Sequence, residues 1–252
     1  MDLAIVTGAS KGLGYEISKA FLQSSFEVIG LSRSMNSNMN NFKKTQNNVY
    51  SHIQIDLCDI KEIEVKFKGI VQKIITKQPK KVYVINNAGM VDPIERVGYL
   101  EAAIIEKAVQ LNYLTPMLIN NLLLKELIDY EIEIIIVNVT SGAAEHPIHG
   151  WSVYNSTKAA INMYTKVAGL ELESNMDSKN KMIGFNPGVM DTYMQYVIRR
   201  SKQDAFAEIN KFLDYKKNNE LRSPEVVSNA LLNLLFQTEL KNGRIYSIKE
   251  LL

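Results

Sequence analysis

Two kinds of apolar pattern alternate along the chain. Short, nearly continuous apolar runs rich in Val and Ile are typical of strands that are buried on both faces. Longer segments with apolar residues at helical spacing predict amphipathic helices. The predicted strands are Leu3–Thr7, Glu27–Leu31, Tyr50–Ile55, Lys81–Asn86, Glu133–Val139, Met182–Asn186 and Gly243–Tyr246. The predicted helices are Gly12–Ser24, Ile60–Lys77, Leu100–Leu111, Pro116–Asp129, Ser152–Glu173 and Pro224–Gln237. This alternation predicts an α/β fold, a doubly wound parallel sheet of about seven strands with helices on both faces.

No linker divides the chain, so we expect a single domain over residues 1–252. Ser34–Asn48 is rich in Asn, Ser and Met, and predicts a surface loop in place of a short helix. Thr192–Asn219 is predicted to be a helical insertion, with a substrate lid around residues 189–220. The N-terminus lacks the pattern of a signal peptide. The longest apolar run, near Ile132–Val139, is too short to span a bilayer.

The composition is that of an ordinary globular protein, with 46% hydrophobic and 22% charged residues. It excludes a disordered chain and a collagen-like repeat. The 29 Lys and Arg residues nearly balance the 27 Asp and Glu residues, whereas a nucleic-acid-binding protein usually shows a clustered basic excess. Cys58 is the single cysteine, so no intrachain disulfide can form. That suits a reducing cytoplasm.

The first predicted strand runs directly into a glycine-rich turn, Thr7-Gly8-Ala9-Ser10-Lys11-Gly12-Leu13-Gly14. Glycines let a backbone approach a pyrophosphate closely, and the N-terminus of the following helix favours negative charge. The turn therefore predicts a dinucleotide site. Its candidate residues are Gly8, Ser10, Lys11, Gly12, Leu13 and Gly14.

The end of the second predicted strand bears on the choice of cofactor. Ser32 stands about where an NAD enzyme places an acid on the ribose 2′-hydroxyl. Serine does not repel a 2′-phosphate, and Arg33 and Lys11 could pair with one. The alternative is that both cations are merely solvated. We expect NADP(H) rather than NAD(H).

Two further strand ends complete the candidate cofactor site. Asp56 and Leu57 could contact the adenine edge, although Asp56 could equally cap a turn or the next helix. Asn87, Ala88 and Gly89 follow the fourth predicted strand, where small residues let the chain pass close to a cofactor. Taken alone, this last segment could be an ordinary turn.

Four residues form a candidate catalytic group. Tyr154 and Lys158 are four apart in a helical pattern and share one face. Carbonyl reduction needs a proton donor beside the oxygen, and a nearby ammonium favours the phenolate and lowers the pKa of the tyrosine. Ser141, at a strand end, could hydrogen-bond the substrate oxygen, and Asn112 could position a water that passes protons to Lys158. Singly, each would suit a surface pair, a turn or a helix end, but strand ends are where doubly wound sheets bind ligands.

In these motifs the sequence resembles the short-chain dehydrogenases/reductases, in their shorter single-domain branch with a Rossmann-like fold. The matching stretches, in family order, are residues 7–14, residues 85–89, Asn112, Ser141, Tyr154 with Lys158, and Asn186-Pro187-Gly188 with Thr192. The resemblance implies a Ser–Tyr–Lys mechanism in which Asn112 completes a proton relay. It also implies that the segment containing Pro187, Gly188, Val189 and Thr192 contacts the nicotinamide carboxamide.

Within that family, the Pro and the Gly-Trp pair of residues 147–154 resemble the sepiapterin reductase group and its bacterial relatives that reduce diketones such as benzil. Sepiapterin reductases anchor the pterin with an acid near the C-terminus, whereas the corresponding segment here reads Tyr246-Ser247-Ile248. A less polar 1,2-diketone is therefore the better expectation than a pterin side-chain ketone. The candidate substrate-lining residues are Ala143, Trp151, Val189, Met190, Tyr193 and Met194.

Alternative functions remain open from the sequence. A 3-oxoacyl-carrier reductase shares the same catalytic residues, but no convincing basic patch for an acidic carrier is present. A sensor that binds NADP(H) without turnover would not need Ser141, Tyr154, Lys158 and Asn112 together. With three histidines and no acid cluster at ligand spacing, we expect no metal site. The resemblance implies a homodimer or homotetramer, with helices Pro116–Asp129 and Ser152–Glu173 pairing between subunits.

Overall fold

The central sheet grows in both directions from its first strand. The computed structural model describes residues 2–42, 49–175 and 179–252, and in those ranges seven strands form one sheet in the order β3-β2-β1-β4-β5-β6-β7. All neighbouring strands are parallel. The strands are β1 (Leu3–Thr7), β2 (Glu27–Ser32), β3 (Tyr50–Gln54), β4 (Lys81–Asn86), β5 (Glu133–Val139), β6 (Lys181–Asn186) and β7 (Ile245–Ser247). The strand order reverses between β1 and β4, and in such sheets ligands bind in the crevice outside this switch point.

Helices cover both faces of the sheet, because alternate residues of each strand point to opposite sides. Ala4 and Val6 of β1 pack with α1 and α8 in one apolar core. Leu3 and Ile5 pack with α2 and α4 in the other. The helices are α1 (Gly12–Gln23), α2 (Ile60–Lys77), α3 (Ala102–Val109), α4 (Thr115–Glu126), α5 (Ser152–Ser174), α6 (Tyr193–Arg199), α7 (Ile209–Lys217), α8 (Pro224–Gln237) and α9 (Ile248–Leu251). The predicted α/β fold, with a doubly wound parallel sheet, is confirmed.

The structure departs from the predicted elements in three places. A π-helical turn, Gln110–Leu114, joins α3 to α4, where the sequence predicted two helices, Leu100–Leu111 and Pro116–Asp129, with a break between them. The predicted loop Ser34–Asn48 is wrong in part, because Ser37–Phe42 forms a 3₁₀ helix. Residues 43–48, including the basic pair Lys43-Lys44, lie outside the described residues. The short helix α9 was not predicted.

The segment between β6 and α8 is a helical insertion that contains α6 and α7. Its two ends are joined by a bridge between Met190 and Arg222. The amide of Arg222 donates to Val189 O, and the amide of Asp191 donates to Arg222 O. The insertion is therefore closed at its base. None of the helices in the described ranges has the length and apolar character needed to span a bilayer.

Two glycines test the packing of the sheet and of a surface helix. A Cβ on Gly30 would lie 2.2 Å from Oη of the buried Tyr50, so we expect Gly30→Ala to lower the free energy of unfolding by about 1–3 kcal/mol through overpacking. Gly69 in α2 has no atom within 4 Å of its Cβ position, so Gly69→Ala should raise that free energy by about 0.5–1 kcal/mol. Urea denaturation followed by circular dichroism measures both changes. A Gly30→Ala variant as stable as the parent protein would contradict the packing of Tyr50 on β2.

Candidate active site

Two turns meet at the switch point of the sheet, and Thr7 and Asn87 hold them together. The hydroxyl oxygen of Thr7 accepts hydrogen bonds from the amides of Asn87 and Ala88, both at 3.0 Å. The side-chain amide of Asn87 donates to Thr7 O at 3.0 Å. The turn after β1 and the turn after β4 are thus fixed against each other, and the predicted cofactor residues Asn87 and Ala88 form one wall of the crevice.

The glycine-rich turn fits a dinucleotide phosphate. A Cβ on Gly14 would lie 2.3 Å from Gly8 O and 2.5 Å from Nδ2 of Asn87, so only glycine permits this packing. No side chain caps the N-terminus of α1, and its first turn contains no acidic residue. Uncapped N–H groups at a helix N-terminus favour an anion. Of the predicted contacts in this turn, Leu13 is buried in the core, whereas Ser10 and Gly12 are part-exposed.

The predicted phosphate-binding cations lie at the exposed rim of this crevice. Arg33 and Lys11 are both exposed, and Nζ of Lys11 lies 4.0 Å from the ring centroid of Tyr193. Ser32 is buried, and its hydroxyl contacts both Ser34 O at 2.9 Å and Nε2 of His52 at 3.0 Å. His52 was not among the predicted residues, because nothing in the sequence indicated that it pairs with Gly30 and so lies beside Ser32.

The predicted adenine-binding residues form a turn. Oδ1 of Asp56 accepts a hydrogen bond from the amide of Cys58 at 3.0 Å, so Asp56 has the turn-capping role that the sequence left open. Leu57 is buried, and its carbonyl accepts a hydrogen bond from the hydroxyl of Thr115. A contact of Asp56 and Leu57 with adenine stays a prediction.

Tyr154, Lys158 and Ser141 come together at the end of β5. Tyr154 and Lys158 lie on the buried face of α5, and Nζ of Lys158 is 5.8 Å from the ring centroid of Tyr154. Nζ of Lys158 donates to Val139 O at 2.9 Å. Ser141 follows β5 and forms a hydrogen bond with Tyr154. This brings a part-exposed hydroxyl together with a buried phenol and a buried ammonium.

Burial changes the acid–base properties of this group. It raises the pKa of Tyr154, and the hydrogen bond with Ser141 acts in the opposite direction. The sequence had suggested a tyrosine pKa lowered by Lys158, and that expectation is wrong for the chain alone because desolvation of the phenolate is the larger effect. Burial also lowers the pKa of Lys158 to about 8. At neutral pH the tyrosine is therefore a neutral acid and the lysine is mostly charged.

Asn112 lies in the π-helical turn and joins three segments. Its Oδ1 accepts from the amide of Met90 at 2.9 Å, and its Nδ2 donates to Met90 O at 2.8 Å and to the hydroxyl of Thr157 at 3.2 Å. A Cβ on Gly89 would lie 3.1 Å from Oδ1 of Asn112 and 3.8 Å from Nζ of Lys158. Asn112 and Gly89 are thus adjacent to the lysine. Single-turn π-helices are frequent at functional sites.

The segment after β6 leads from the sheet into the insertion. Pro187 is buried, and the amide of Gly188 donates to Oδ1 of Asn186 at 3.0 Å. Thr192 precedes α6, and its Cγ2 lies 3.6 Å from the position of a Cβ on Gly12. The start of the insertion therefore borders the glycine-rich turn. A single ligand could contact both segments.

An aromatic cluster covers Tyr154 and is completed by the insertion. The ring of Trp151 lies 5.2 Å from that of Tyr154, 5.0 Å from that of Phe206 and 5.4 Å from that of Phe212, measured between centroids. A Cβ on Gly150, which has a φ of +84°, would lie 2.1 Å from Ala205 O, so glycine lets the insertion pack closely here. Phe206 and Phe212 were not predicted, because their distance from Trp151 in the sequence gives no signal.

The predicted substrate residues are distributed over three places. Ala143 and Trp151 are buried in the aromatic cluster, and Met194 packs against it. Met190 packs instead against the core beside α1 and α8, and Val189 is part-exposed at the base of the insertion. The side chain of Tyr193 is 59% exposed and contacts Lys11. Among the described residues, no three His, Cys, Asp or Glu side chains are grouped so that they could hold a metal ion.

Comparison with known proteins places this geometry in a family. The family model for short chain dehydrogenases matches residues 2–203. A benzil reductase of the (S)-benzoin-forming type from Bacillus subtilis is 41% identical over 252 residues, which is all of both chains. One from Bacillus cereus is 33% identical over 250 residues, 99% of this chain and 100% of that protein.

More distant relatives agree. A sepiapterin reductase from Xenopus tropicalis is 29% identical over 168 residues, 65% of this chain and 62% of that protein. The crystal structure of the KRED1-Pglu enzyme superposes with a TM-score of 0.79 at 25% identity and covers 98% of this chain and 100% of that one. The resemblance found in the sequence motifs is confirmed at the level of family and branch. The chain belongs to the short-chain dehydrogenase family.

Proposed function

We propose that the protein is an NADPH-dependent carbonyl reductase whose substrates are 1,2-diketones of low polarity. The observation that carries the proposal is the buried group at the end of β5, in which Ser141 is hydrogen-bonded to Tyr154 and Lys158 lies beside them. The similarity to benzil reductases over the whole chain supports the substrate class. Family membership itself makes the chain an oxidoreductase with a nicotinamide cofactor.

A bound nicotinamide cofactor supplies the hydride that adds to the carbonyl carbon. The residues placed to hold it are the glycine-rich turn, the wall formed by Asn87 and Ala88, and the segment from Pro187 to Thr192. Tyr154 and Lys158 border the same space. Lys11 and Arg33 at the exposed rim are the groups that favour a 2′-phosphate, since Ser32 carries no charge that would repel one.

Tyr154 gives its proton to the carbonyl oxygen as the C=O bond becomes a C–O bond. Because burial keeps the phenol neutral, the residue begins the step as an acid. The hydroxyl of Ser141 holds the substrate oxygen and the phenol in one hydrogen-bonded group. The charge of Lys158 stabilises the phenolate as it forms, and the ammonium then returns a proton to the Tyr154 oxygen. Asn112 positions the water through which Lys158 regains its own proton.

The surroundings of the site support an apolar diketone over a pterin. The wall beside Tyr154 consists of the rings of Trp151, Phe206 and Phe212. Near the C-terminus, the carboxylate of Glu250 is paired with Arg244 at 2.9 Å and accepts from the amide of Ser247, so it is engaged locally. The aromatic wall therefore favours substrates whose carbonyl carries aryl or alkyl groups.

The insertion acts as a lid within a single catalytic domain that spans residues 1–252. Residues 189–220 are closed at their base by one bridge, and Phe206 and Phe212 of this segment pack on Trp151, whose ring contacts Tyr154. Closing such a segment over a substrate excludes water from the reacting atoms.

The protein works as a homodimer or homotetramer in which α4 and α5 pair between subunits. Met163, Val167 and Leu170 form an exposed apolar stripe on α5, at 61%, 45% and 67% exposure. These positions are four and three apart, so they share one face of the helix. A cytoplasmic location, in which Cys58 stays a thiol, is part of the proposal.

Removing the proposed proton donor tests the reaction. We expect Tyr154→Phe to lower kcat by about 10²–10⁴-fold for every ketone, because only the proton transfer is lost. Turnover is followed by the absorbance of NADPH with benzil, an aliphatic 1,2-diketone, sepiapterin and an acetoacetyl thioester. Tyr50→Phe, which removes another buried hydroxyl far from the site, is the matched control and should keep full activity. Unchanged turnover in Tyr154→Phe would overturn the mechanism.

The cofactor preference depends on the two rim cations. We expect Lys11→Ala and Arg33→Ala each to raise the KM for NADPH by about tenfold, since a charge-assisted contact with the 2′-phosphate is lost. The KM for NADH should stay unchanged, because NADH lacks that phosphate. Equal increases for both cofactors would assign the two cations to general phosphate binding instead.

The low pKa of Lys158 predicts a pH dependence. Lysine is charged below its pKa, so the stabilising charge is present below pH about 8 and is lost as the pH rises through that value. We expect kcat/KM for reduction to be level at neutral pH and to fall above pH about 8. Lys158→Arg stays charged throughout, so the residual rate of this variant should show no such inflection. An inflection that persists in Lys158→Arg belongs to another group.

A further inference from the structure

The indole N–H of Trp151 is a buried hydrogen-bond donor that lacks an acceptor. Trp151 is 5% exposed, and its Nε1 has no hydrogen-bond partner among the described residues. The indole nitrogen donates one hydrogen and accepts none. A buried donor of this kind disfavours the folded state, and native proteins usually satisfy it with protein or ligand. Its presence beside Tyr154 therefore calls for an explanation at the site.

The position of the ring is fixed by its neighbours. Phe206 stacks on Trp151 at an interplanar angle of 26°, whereas Tyr154 and Phe212 meet it at 68° and 67°. Rings that pack in this way restrict the orientation of the indole, so its N–H is held in a set direction before any substrate arrives. A donor that is oriented in advance costs little entropy when it forms a hydrogen bond.

We propose that the indole N–H of Trp151 donates a hydrogen bond to the second, non-reacting carbonyl oxygen of a 1,2-dicarbonyl substrate. The inference rests on the proposed function, since it takes Tyr154 as the group that binds the reacting oxygen. The two oxygens of a 1,2-diketone belong to adjacent carbons. The Trp151 and Tyr154 rings are in contact, with centroids 5.2 Å apart, so a substrate whose reacting oxygen meets Tyr154 lies beside the indole.

This arrangement explains how an apolar wall selects a dicarbonyl compound. Apolar contacts alone discriminate weakly between substrates of similar shape, whereas a buried polar group left unpaired rejects an analogue that lacks its partner. A monoketone of the same skeleton would fill the cluster and leave the indole N–H unsatisfied. A 1,2-diketone would satisfy it. Trp151 is therefore a substrate-recognition residue that distinguishes these two classes.

A pair of matched substrates and one conservative variant test the proposal. Benzil has two adjacent carbonyls, and deoxybenzoin has the same two phenyl groups with one carbonyl. Trp151→Phe keeps an aromatic ring and removes the N–H. We expect kcat/KM for benzil to fall about tenfold more than kcat/KM for deoxybenzoin in the variant, because only benzil loses a hydrogen bond. An equal fall for both substrates would reduce Trp151 to a packing role and overturn the inference.

A second measurement does not depend on turnover. Trp151 is the single tryptophan of the chain, so the indole region of a ¹⁵N–¹H spectrum contains one tryptophan side-chain signal. In the complex with NADP⁺, which cannot reduce the ligand, benzil should move the indole proton downfield, and deoxybenzoin should not. Equal shifts with both ligands would reflect ring currents alone. An indole signal that neither ligand moves would place the N–H against the face of a neighbouring ring and would also overturn the inference.

The two proposals fail in distinguishable ways. If the parent protein binds NADPH but reduces neither benzil nor deoxybenzoin, the proposed function fails in its substrate class. If the parent protein reduces benzil and Trp151→Phe reduces it equally well, the function stands and the role of Trp151 fails. Thermal unfolding of Trp151→Phe shows whether the cluster is intact, and Trp151→His, which keeps a ring N–H, should recover part of the preference for benzil if that N–H is the cause.

Discussion

The hydroxyl of Thr7 holds together two turns that leave the sheet in different directions. It donates to Ile85 O and accepts from two amides after β4, while the side chain of Asn87 returns a hydrogen bond to Thr7 O. These bonds bridge the strands between which the order of the sheet reverses. Without them the glycine-rich turn would have no fixed distance from the end of β4. The neighbouring β5 carries Ser141, so the geometry of cofactor and catalytic groups depends on this clamp.

The helix α5 is held to the same edge by two side chains, one of which, Lys158, belongs to the proposed catalytic group. Nζ of Lys158 donates to Val139 O, and the side-chain amide of Asn155 donates to His146 O at 2.6 Å. These contacts place Tyr154 against the end of β5 and remove it from water. Burial disfavours the charged form of both groups, so it raises the pKa of Tyr154 and lowers the pKa of Lys158. Burial therefore sets a neutral phenol beside an ammonium that gives up its proton more readily than an exposed lysine.

The sequence predicted the parts of the protein that local patterns determine. Lys81–Asn86 and Glu133–Val139 match their strands at both ends, because β-branched runs buried on both faces have one stable environment. The glycine spacing and the pair of Tyr154 and Lys158 are also local patterns, and both lie at the edge of the sheet that the sequence indicated. Long-range contacts left no such pattern. In the π-helical turn Asn112 bonds to Met90 and Thr157, and the raised pKa of Tyr154 follows from burial in the folded chain.

The aromatic cluster connects the insertion to the proposed proton donor, because Trp151 contacts rings of both. Phe206 and Phe212 come from the insertion, and Tyr154 comes from α5. A displacement of the lid therefore changes the packing and hydration of the phenol, and with them the acid strength of Tyr154. An apolar wall accepts many ketones of suitable size, so selectivity has to come from the few polar atoms within it. In this cluster those atoms are the phenol of Tyr154, the proposed proton donor, and the indole N–H of Trp151, which has no hydrogen-bond partner among the described residues.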